Sequence, residues 1–233
     1  MSATERCDIN FKMLNWIIIQ EELNKKVILD GNPEVKLVAG IDISTNTDLN
    51  NPISFATVVI MNSDLDPNLN QGLNIVWTNT IKVKLEEEYI SSFLSFRELD
   101  AMINVIKTIP NEYYPDIILV DGCGYMHPRN FGLACHLGVK LGIPCIGVSK
   151  KLLYLEESNR NLIFMGPVAK LYDNNEVVGY AYLSARNPIY ISIGHMISLE
   201  NSYNIIKKYC IYRIPEPIRQ ADIISRSYLR NLQ

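Results

Sequence analysis

Short apolar segments alternate with polar segments along the chain, and the first three apolar segments predict β-strands. These segments, residues 35–43, 53–61 and 73–83, are rich in β-branched and aromatic residues, which favour strands. The Asn- and Asp-rich segment of residues 62–72 lies between the second and the third and is typical of a loose hairpin turn. A helix is predicted ahead of the first strand, over residues 10–28.

The centre of the chain changes to a repeat that is typical of helices. Apolar side chains follow the i, i+3, i+4, i+7 spacing of one helical face and predict a helix over residues 95–109. They are Leu99, Met102, Ile103 and Ile106. The apolar run within residues 116–122 predicts a short strand with both faces covered.

The rest of the chain alternates between helical and extended patterns. The predicted elements are a helix from about Asn130 to Leu141, a strand at 143–148, further strands within 161–193 around a turn at 173–176, and helices over 198–210 and 216–229. Three strands, then alternating helices and strands, then helices, predict an α/β fold with a mixed central sheet flanked by helices.

Composition is that of a globular protein, with 233 residues of which 48% are hydrophobic. A chain of this size can bury a substantial core, so we expect a single domain over residues 1–233 and a monomer. There are five cysteines without a Cys-x-x-Cys pair, and the apolar runs are too short to cross a bilayer. We therefore expect a reduced, intracellular protein of the cytoplasm, nucleus or nucleolus with no membrane partner.

Charge is unevenly distributed. The whole chain carries −3 at pH 7, which argues against a general nucleic-acid binder. Residues 203–233 nevertheless hold six basic residues against two acidic ones, Glu216 and Asp222, a balance of +4. The six are Lys207, Lys208, Arg213, Arg219, Arg226 and Arg230. This basic tail is either a solvated helix face or a surface that faces phosphate groups.

Two acidic residues end predicted strands. Asp42 interrupts an apolar strand, where a carboxylate is costly unless it is paired, hydrogen-bonded or bound to metal. Asp121 ends another strand, and the carboxyl ends of parallel strands are where open α/β sheets place ligands. The structural alternatives are a capped turn after Asp42 and a simple Asp-Gly turn at Asp121.

Two further acids lie near predicted helix starts. Glu98 follows Ser95 at capping-box spacing, yet it shares a helical face with apolar residues and so points along the core edge. Asp222 lies early in the last helix, where pairing with the helix dipole, Arg219 or Arg226 is the structural alternative.

Four acids at element ends together indicate a cation site, because converging carboxylates repel one another. Oxygen ligands favour Mg²⁺ or Mn²⁺ over zinc, and such sites activate water and neutralise charge on phosphate. A zinc site is the alternative, although its spacing matches no common zinc pattern. Its ligands would be Cys123, His127, Cys135 and His136.

Six motifs in order resemble the endonuclease V family. They are "GIDIS", "YISSFLSFRE", "LVDGCGYMHPRNFGLACHLGV", "IGVSKKLL", "YISIGHMISLE" and "IPEPIRQADIISR". The resemblance implies an RNase H-like fold and metal-dependent cleavage of nucleic acid at the second phosphodiester on the 3′ side of inosine, which leaves a 3′-hydroxyl and a 5′-phosphate. "FGLACHLGV" and the last motif are similar to the eukaryotic branch, which implies inosine-containing single-stranded RNA as substrate, with a 2′-hydroxyl contact as the physical basis.

The resemblance also implies catalytic roles. Asp42, Asp121 and Glu98 would bind Mg²⁺, with Mn²⁺ able to substitute, and Asp222 would be the C-terminal acid of the site. Lys150 would contact phosphate or polarise the attacking water.

A second set of residues would bind the substrate. By the resemblance, Tyr89 with Ile90 would fill the gap left by an extruded base, Leu94 and Leu133 would pack near the base, and His127 would lie beside the base pocket. His127 before Pro128 is otherwise a turn histidine. The glycines that would let the backbone approach the base are Gly122, Gly124, Gly132 and Gly138.

The loop that carries Tyr89 departs from the family pattern. Residues 88–92 read Glu-Tyr-Ile-Ser-Ser, where the family has Pro-Tyr-Ile-Pro-Gly or Pro-Tyr-Val-Ser-Gly, and Thr45 stands where an aromatic residue is common. Loss of the proline and glycine predicts a less pre-set loop. Two other functions stay open: repair cleavage of deaminated DNA, and a weakly catalytic protein that binds inosine-containing RNA.

Overall fold

A computed structural model of the protein describes residues 3–46, 48, 52–62, 74–153 and 162–231, with side chains from residue 10 onward. The helices are α1 (Ala3–Asn24), α2 (Leu94–Ile106), α3 (Leu133–Leu141), α4 (Leu199–Tyr209) and α5 (Glu216–Arg230), with one 3₁₀ turn at Asn111–Tyr113. The strands are β1 (Leu37–Thr45), β2 (Ser54–Asn62), β3 (Ile75–Val83), β4 (Ile117–Asp121), β5 (Cys145–Ser149), β6 (Val168–Asp173), β7 (Glu176–Tyr182) and β8 (Ile189–His195). Among the described helices, none is long and apolar enough to span a bilayer.

The strands form one mixed sheet in the order β3-β2-β1-β4-β5-β8-β7-β6. The neighbours β1, β4 and β5 run parallel, while the outer strands pair antiparallel. The predicted α/β fold with a mixed sheet between helices is confirmed. The parallel centre matters most for function, because it brings the carboxyl ends of three strands to one edge.

Strand β4 is covered on both faces, as its apolar sequence predicts. Ile118 and Val120 pack into the core under α2 and α3, and Ile117 and Leu119 pack into the core under α4 and α5. Side chains alternate between the faces of a strand, so one short run of apolar residues supplies both cores.

Helix α5 lies directly against β1 because residue 40 has no side chain. A Cβ atom on Gly40 would stand 2.1 Å from the backbone carbon of Pro217 at the start of α5. The contact places the later residues of α5 beside the carboxyl end of β1, where Asp42 lies.

Several predicted boundaries move. Helix α1 runs from residue 3 to 24 rather than from 10 to 28. Helix α3 begins at Leu133 rather than about Asn130, because Asn130 has a φ of 51° and Gly132, the residue before the helix, is extended. Most of the predicted turn at residues 62–72 lies outside the described residues.

The capping box that Ser95 and Glu98 could form is absent. Helix α2 begins at Leu94, so Phe93 occupies the N-cap position and makes no side-chain cap. The Ser95 hydroxyl is instead buried, and it has no hydrogen-bond partner among the described residues. Glu98 therefore has no capping function.

Candidate active site

Three parallel strands deliver charged side chains to one edge of the sheet. Asp42 belongs to β1, Asp121 ends β4, and Lys150 follows β5. Asp42 and Asp121 are neighbours because Ile41 pairs with Val120 in the strand register. A cleft of about 240 Å³ opens here, lined by Asp42, Ile43, Tyr89, Leu94, Glu98, Met102 and Asp121.

Asp42 is held from α5. Its side chain is 8% exposed, and its Oδ2 accepts a 2.9 Å hydrogen bond from the Ser225 hydroxyl. The Ser44 hydroxyl lies 3.2 Å from the same Oδ2 and 2.7 Å from Ser225 Oγ. Burial raises the pKa of Asp42 to about 6; the Ser225 hydrogen bond opposes this rise, and the charges of Asp121 and Asp222 add to it.

Glu98 faces the same cleft from α2. Burial raises the pKa of its carboxyl to about 8, and the nearby charge of Asp42 adds to the rise, while Arg97 opposes it. The sequence places Glu98 at the head of an apolar helical face, and the structure shows that this face brings Glu98 to the cleft lined by Asp42 and Asp121.

Asp121 and Lys150 form an ion pair, with 2.5 Å between Oδ2 and Nζ. Burial lowers the pKa of Lys150, but the charge of Asp121 and its hydrogen bond raise it more, so the net shift is upward. Lys150 therefore carries a positive charge at this edge. Its backbone carbonyl accepts a 2.9 Å hydrogen bond from the Arg213 guanidinium, which also donates to the carbonyl of Pro188.

Asp222 does not line the cleft. Its Oδ1 accepts a 2.7 Å hydrogen bond from Nε of Arg226, one helical turn later, which was one of its structural explanations. Its charge nevertheless raises the pKa values of both Asp42 and Lys150. The negative charge of Asp222 thus adds to the electrostatic potential at Asp42 and Lys150.

The donor set fits a hard divalent cation. Asp42, Glu98 and Asp121 offer carboxylate oxygens, the ligands that Mg²⁺ and Mn²⁺ prefer. Burial and mutual repulsion hold the pKa values of Asp42 and Glu98 up, and a cation between them would relieve both costs. Among the described residues, no three acid, histidine or cysteine side chains stand close enough to form a ready-made metal-binding group, so the acids would have to draw together around it.

The described side chains do not assemble the alternative zinc site. His127 and Cys135 are committed to backbone partners, since His127 Nε2 lies 2.9 Å from the carbonyl oxygen of Ser92 and the Cys135 thiol lies 3.6 Å from that of Ile193. Burial raises the pKa of Cys123 to about 11 and that of Cys135 well above its ordinary value. His136 lies between the rings of Phe96 and Phe131.

A second cavity, of about 330 Å³, adjoins the acid cleft and shares Tyr89 and Leu94 with it. Its lining is Gln20, Tyr89, Ser91, Ser92, Leu94, Ser95, Gly122, Cys123, His127, Gly132, Leu133, Ser149, Lys151, Leu152 and Leu153. We call it the base pocket, after the role that the sequence resemblance predicts for several of its residues. Tyr89 is 64% exposed at the boundary between the two cavities, so its ring is free to contact a substrate.

His127 is neutral in this pocket. Burial lowers its pKa to about 4, although the hydrogen bond to Ser92 opposes the shift. Its Nδ1 accepts from the backbone N–H of Arg129 at 3.2 Å, so Nε2 carries the proton and donates it to the Ser92 carbonyl. His127 therefore both lines the pocket, as the sequence predicts, and ties the Tyr89 loop (residues 88–92) to the β4–α3 connection.

Residues 21–223 match the family described as Endonuclease V. The chain belongs to the endonuclease V family. It is 37% identical to human endonuclease V over 174 residues, which cover 68% of this chain and 62% of the human protein, and 38% identical to mouse endonuclease V over 52% of its length. The chain thus spans only about half to two thirds of these two relatives. It is 33% identical to endonuclease V of Gloeobacter violaceus over 95% of this chain and 91% of that protein.

Solved endonuclease V structures share the fold. Human endonuclease V superposes with a TM-score of 0.81 at 32% identity, covering 94% of this chain and 98% of that one. The endonuclease V of Ciona intestinalis gives a TM-score of 0.81 at 30% identity over 95% of this chain and 99% of that one; its structure contains a 24mer DNA with an inosine followed by a ribo-adenosine. The predicted RNase H-like fold is confirmed.

Within this endonuclease V fold, three predicted substrate residues, Ile90, Gly124 and Gly138, do not line the pocket. A Cβ on Gly138 would stand 2.4 Å from the Cβ of His195, so this glycine lets α3 pack on β8. Ile90 is absent from the lining as well, and its carbonyl instead accepts the N–H of Phe93 at 3.0 Å. The sequence also assigns Gly124 to close approach of the base. A Cβ on Gly124 would instead stand 2.0 Å from the carbonyl oxygen of Ile193, so this glycine lets the backbone pack against β8.

Other predicted substrate residues meet in the base pocket as expected: Tyr89, Leu94, Gly122, His127, Gly132 and Leu133. The sequence reading missed Gln20, Ser95 and Lys151. Gln20 gave one usable signal, since it is a polar residue one turn after Trp16, on the face of α1 that is buried.

Three of the six basic residues of the tail have partners within the protein. Arg219 makes two hydrogen bonds to Glu216 and lies over the Tyr212 ring, Arg226 pairs with Asp222, and Arg213 donates to backbone carbonyls. These three arginines favour the structural explanation of the tail over the phosphate-facing one.

Proposed function

We propose that this member of the endonuclease V family is a divalent-metal-dependent endonuclease that cleaves inosine-containing single-stranded RNA. The proposed cut falls at the second phosphodiester on the 3′ side of inosine and leaves a 3′-hydroxyl and a 5′-phosphate. One observation carries the proposal: the base pocket and the acid cleft adjoin and share Tyr89 and Leu94. A base held in the first cavity would leave its own strand running past the second.

The pocket suits an extruded base because it combines apolar walls with close backbone. Leu94 and Leu133 supply apolar surface, and Gly122 and Gly132 keep side chains out of the way. Extrusion leaves a gap in the stack, and the exposed ring of Tyr89 lies where it could fill that gap.

Asp42, Glu98 and Asp121 would hold Mg²⁺, or Mn²⁺ in its place. A bound cation would supply a water of lowered pKa and positive charge beside the phosphate. Each carboxyl must lose its proton before it can bind. The hydroxyl of Ser225 orients Asp42, and the ammonium of Lys150 stands at the same edge, where it can attract a phosphate oxygen.

RNA is favoured over DNA by the eukaryotic character of two motifs and by the Ciona relative, whose bound strand carries a ribonucleotide next to inosine. Repair of deaminated DNA is the second candidate, and the same relative supports it, since that strand is otherwise DNA.

The test uses four matched strands, RNA and DNA, each with and without one inosine, in Mg²⁺ and then in EDTA. We expect rapid, inosine-dependent cutting of RNA in Mg²⁺ alone. A fifth strand, DNA with a few ribonucleotides just 3′ of inosine, should be cut nearly as well as RNA if a 2′-hydroxyl is read. Equal rates on all-DNA and RNA would favour the repair function, and no cutting of any inosine strand would reject the proposal.

A further inference from the structure

Ser92 ends the Tyr89 loop in an unusual backbone conformation. Its φ is 66°, in the left-handed region that glycine adopts freely and other residues adopt only at a cost. A serine stands here although the position calls for glycine, so the conformation needs support from elsewhere in the structure.

That support comes from three donors on one oxygen. The carbonyl of Ser92 accepts hydrogen bonds from Gln20 Nε2 at 3.3 Å, from His127 Nε2 at 2.9 Å and from a terminal nitrogen of Arg129 at 2.9 Å. The same guanidinium nitrogen of Arg129 donates to the Ser92 hydroxyl at 2.8 Å. Both the backbone and the side chain of Ser92 are thereby held.

Gln20 and Arg129 are themselves fixed. Gln20 is fully buried; its amide nitrogen donates to the carbonyl of Phe131 at 3.0 Å, and its amide oxygen accepts from Arg129 Nε at 2.6 Å. The guanidinium lies 4.5 Å from the centre of the Phe93 ring. Arg129 thus donates its hydrogen bonds to Gln20 and to Ser92 of the Tyr89 loop. These bonds depend on the planar, multiply donating guanidinium and not on the positive charge alone.

We propose that Gln20 and Arg129 are positioning residues that lock Ser92 in its left-handed conformation and so preset the Tyr89 loop for base recognition. Side chains from helix α1 and the β4–α3 connection thus stabilise a left-handed conformation that a glycine would adopt without strain. The inference rests on the proposed function for its substrate. A preset loop does not have to become ordered when the substrate binds, so a variant that loosens the loop should bind the substrate more weakly.

The test is a double-mutant cycle between residues 92 and 129. Cleavage of an inosine RNA and its adenosine match is measured for wild type, Ser92→Gly, Arg129→Ala and the double variant. We expect Arg129→Ala to raise KM for the inosine strand roughly tenfold with little change in kcat. In the Ser92→Gly background, the same substitution should raise KM only about twofold. Arg129→Lys should resemble Arg129→Ala, and Lys107→Ala, an exposed cation on another face, should resemble wild type.

Hydrogen exchange gives a readout without substrate. Amides of residues 86–94 should exchange faster in Arg129→Ala and in Gln20→Ala than in wild type, while the amides of β4 keep their protection. The inference would be overturned if Arg129→Ala raised KM equally with serine and with glycine at residue 92. Full activity of Arg129→Lys would also overturn it, because it would indicate a phosphate contact. Absence of inosine-dependent cutting by wild type would instead reject the proposed function. The hydrogen-exchange result would still test the positioning of the loop independently.

Discussion

The hydroxyl of Ser225 on α5 donates a 2.9 Å hydrogen bond to Oδ2 of Asp42 on β1, across 183 positions of sequence. Ser44 lies against the same oxygen. Because both hydroxyls converge on Oδ2, they hold the carboxylate in one orientation, and Asp42 lines the acid cleft in that orientation.

Ser225→Ala should shift the pH dependence of cleavage. The hydrogen bond opposes the rise in the pKa of Asp42, so without it the pKa rises further and metal binding needs a higher pH. A hydrogen bond to a charged group is worth about 1.5–3 kcal/mol, and one pH unit about 1.4 kcal/mol, so the acidic limb of the rate profile should move up by about one to two units. Ser44→Ala, which removes the longer contact, should move it less; an unmoved profile in Ser225→Ala would refute the assigned role.

Asp42→Asn and Asp121→Asn should each abolish cleavage while leaving much of the substrate binding. The lost oxygen serves the cation more than the docking of the strand. Cleavage assays and gel-shift binding with the same inosine RNA separate the two effects. EDTA should mimic both variants, with Mg²⁺ or Mn²⁺ restoring wild type only, and an active Asp121→Asn would remove that residue from the site.

Metal-free protein should lose stability as the pH rises from about 6.5 to about 8, the raised pKa of Glu98. Glu98, with its pKa raised to about 8, binds a proton in the folded state that the unfolded state has already released, so folding is favoured below this window and less so above it. The buried histidines His127 and His136, with pKa values lowered to about 4, act in the opposite direction but only below about 6.5.

Thermal melts across this pH range, with EDTA and with Mg²⁺, measure the effect. The loss should be on the order of a few kcal/mol, Glu98→Gln should flatten it, and Mg²⁺ should reverse it because the cation binds the ionised carboxylates. A pH-independent melting temperature in EDTA would contradict the assigned burial of Glu98.

Tyr89→Ala should weaken discrimination of inosine from adenosine by about 1–3 kcal/mol, the usual worth of one base–aromatic stack. Tyr89→Phe should be nearly silent, because the ring and not the hydroxyl stacks. The ratio of kcat/KM on the two strands is the measurement. Phe93 cannot replace Tyr89, since it is buried beneath the Arg129 guanidinium, so an unchanged ratio in Tyr89→Ala would mean that no aromatic side chain fills the gap.

Ser95→Ala should stabilise the protein or leave it unchanged. The Ser95 hydroxyl is buried without a hydrogen-bond partner, a situation that costs about 1–3 kcal/mol, and alanine is the better helix former. Urea denaturation in EDTA gives the comparison, with Ser202→Ala as the control, since the Ser202 hydroxyl donates to the Ser198 carbonyl at 2.9 Å. A clear destabilisation by Ser95→Ala would show that this hydroxyl does find a partner.

The strands, the helices and the meeting of Asp42 with Asp121 could be predicted because each depends on local pattern. Apolar runs locate β1 and β4, and parallel neighbours place their ends together. The choice among partners could not be predicted: Arg219 pairs with Glu216 and Arg226 with Asp222, although sequence spacing allowed either arginine for Asp222. That choice depends on which rotamers the packed helix permits.

Contacts between distant segments also escaped the sequence. Gln20 could be recognised as a polar residue on an apolar helical face, but its partners, the carbonyls of Ser92 and Phe131, lie 72 and 111 positions away. The predicted looseness of the Tyr89 loop followed from local composition alone, and it missed the hydrogen bonds that compensate for the missing glycine.

The close contact of α5 with β1 at Gly40 joins an early segment of the chain to a late one. The site is therefore completed late in translation. Asp42 leaves the ribosome early, whereas Ser225, which orients it, is synthesised 183 residues later. Until α5 folds back onto the sheet, the carboxylate lacks both its cover and its orienting hydroxyl. A nascent chain in which α5 has not yet been synthesised therefore carries an unfinished site, and the proposed cleavage of RNA must wait until this helix has docked.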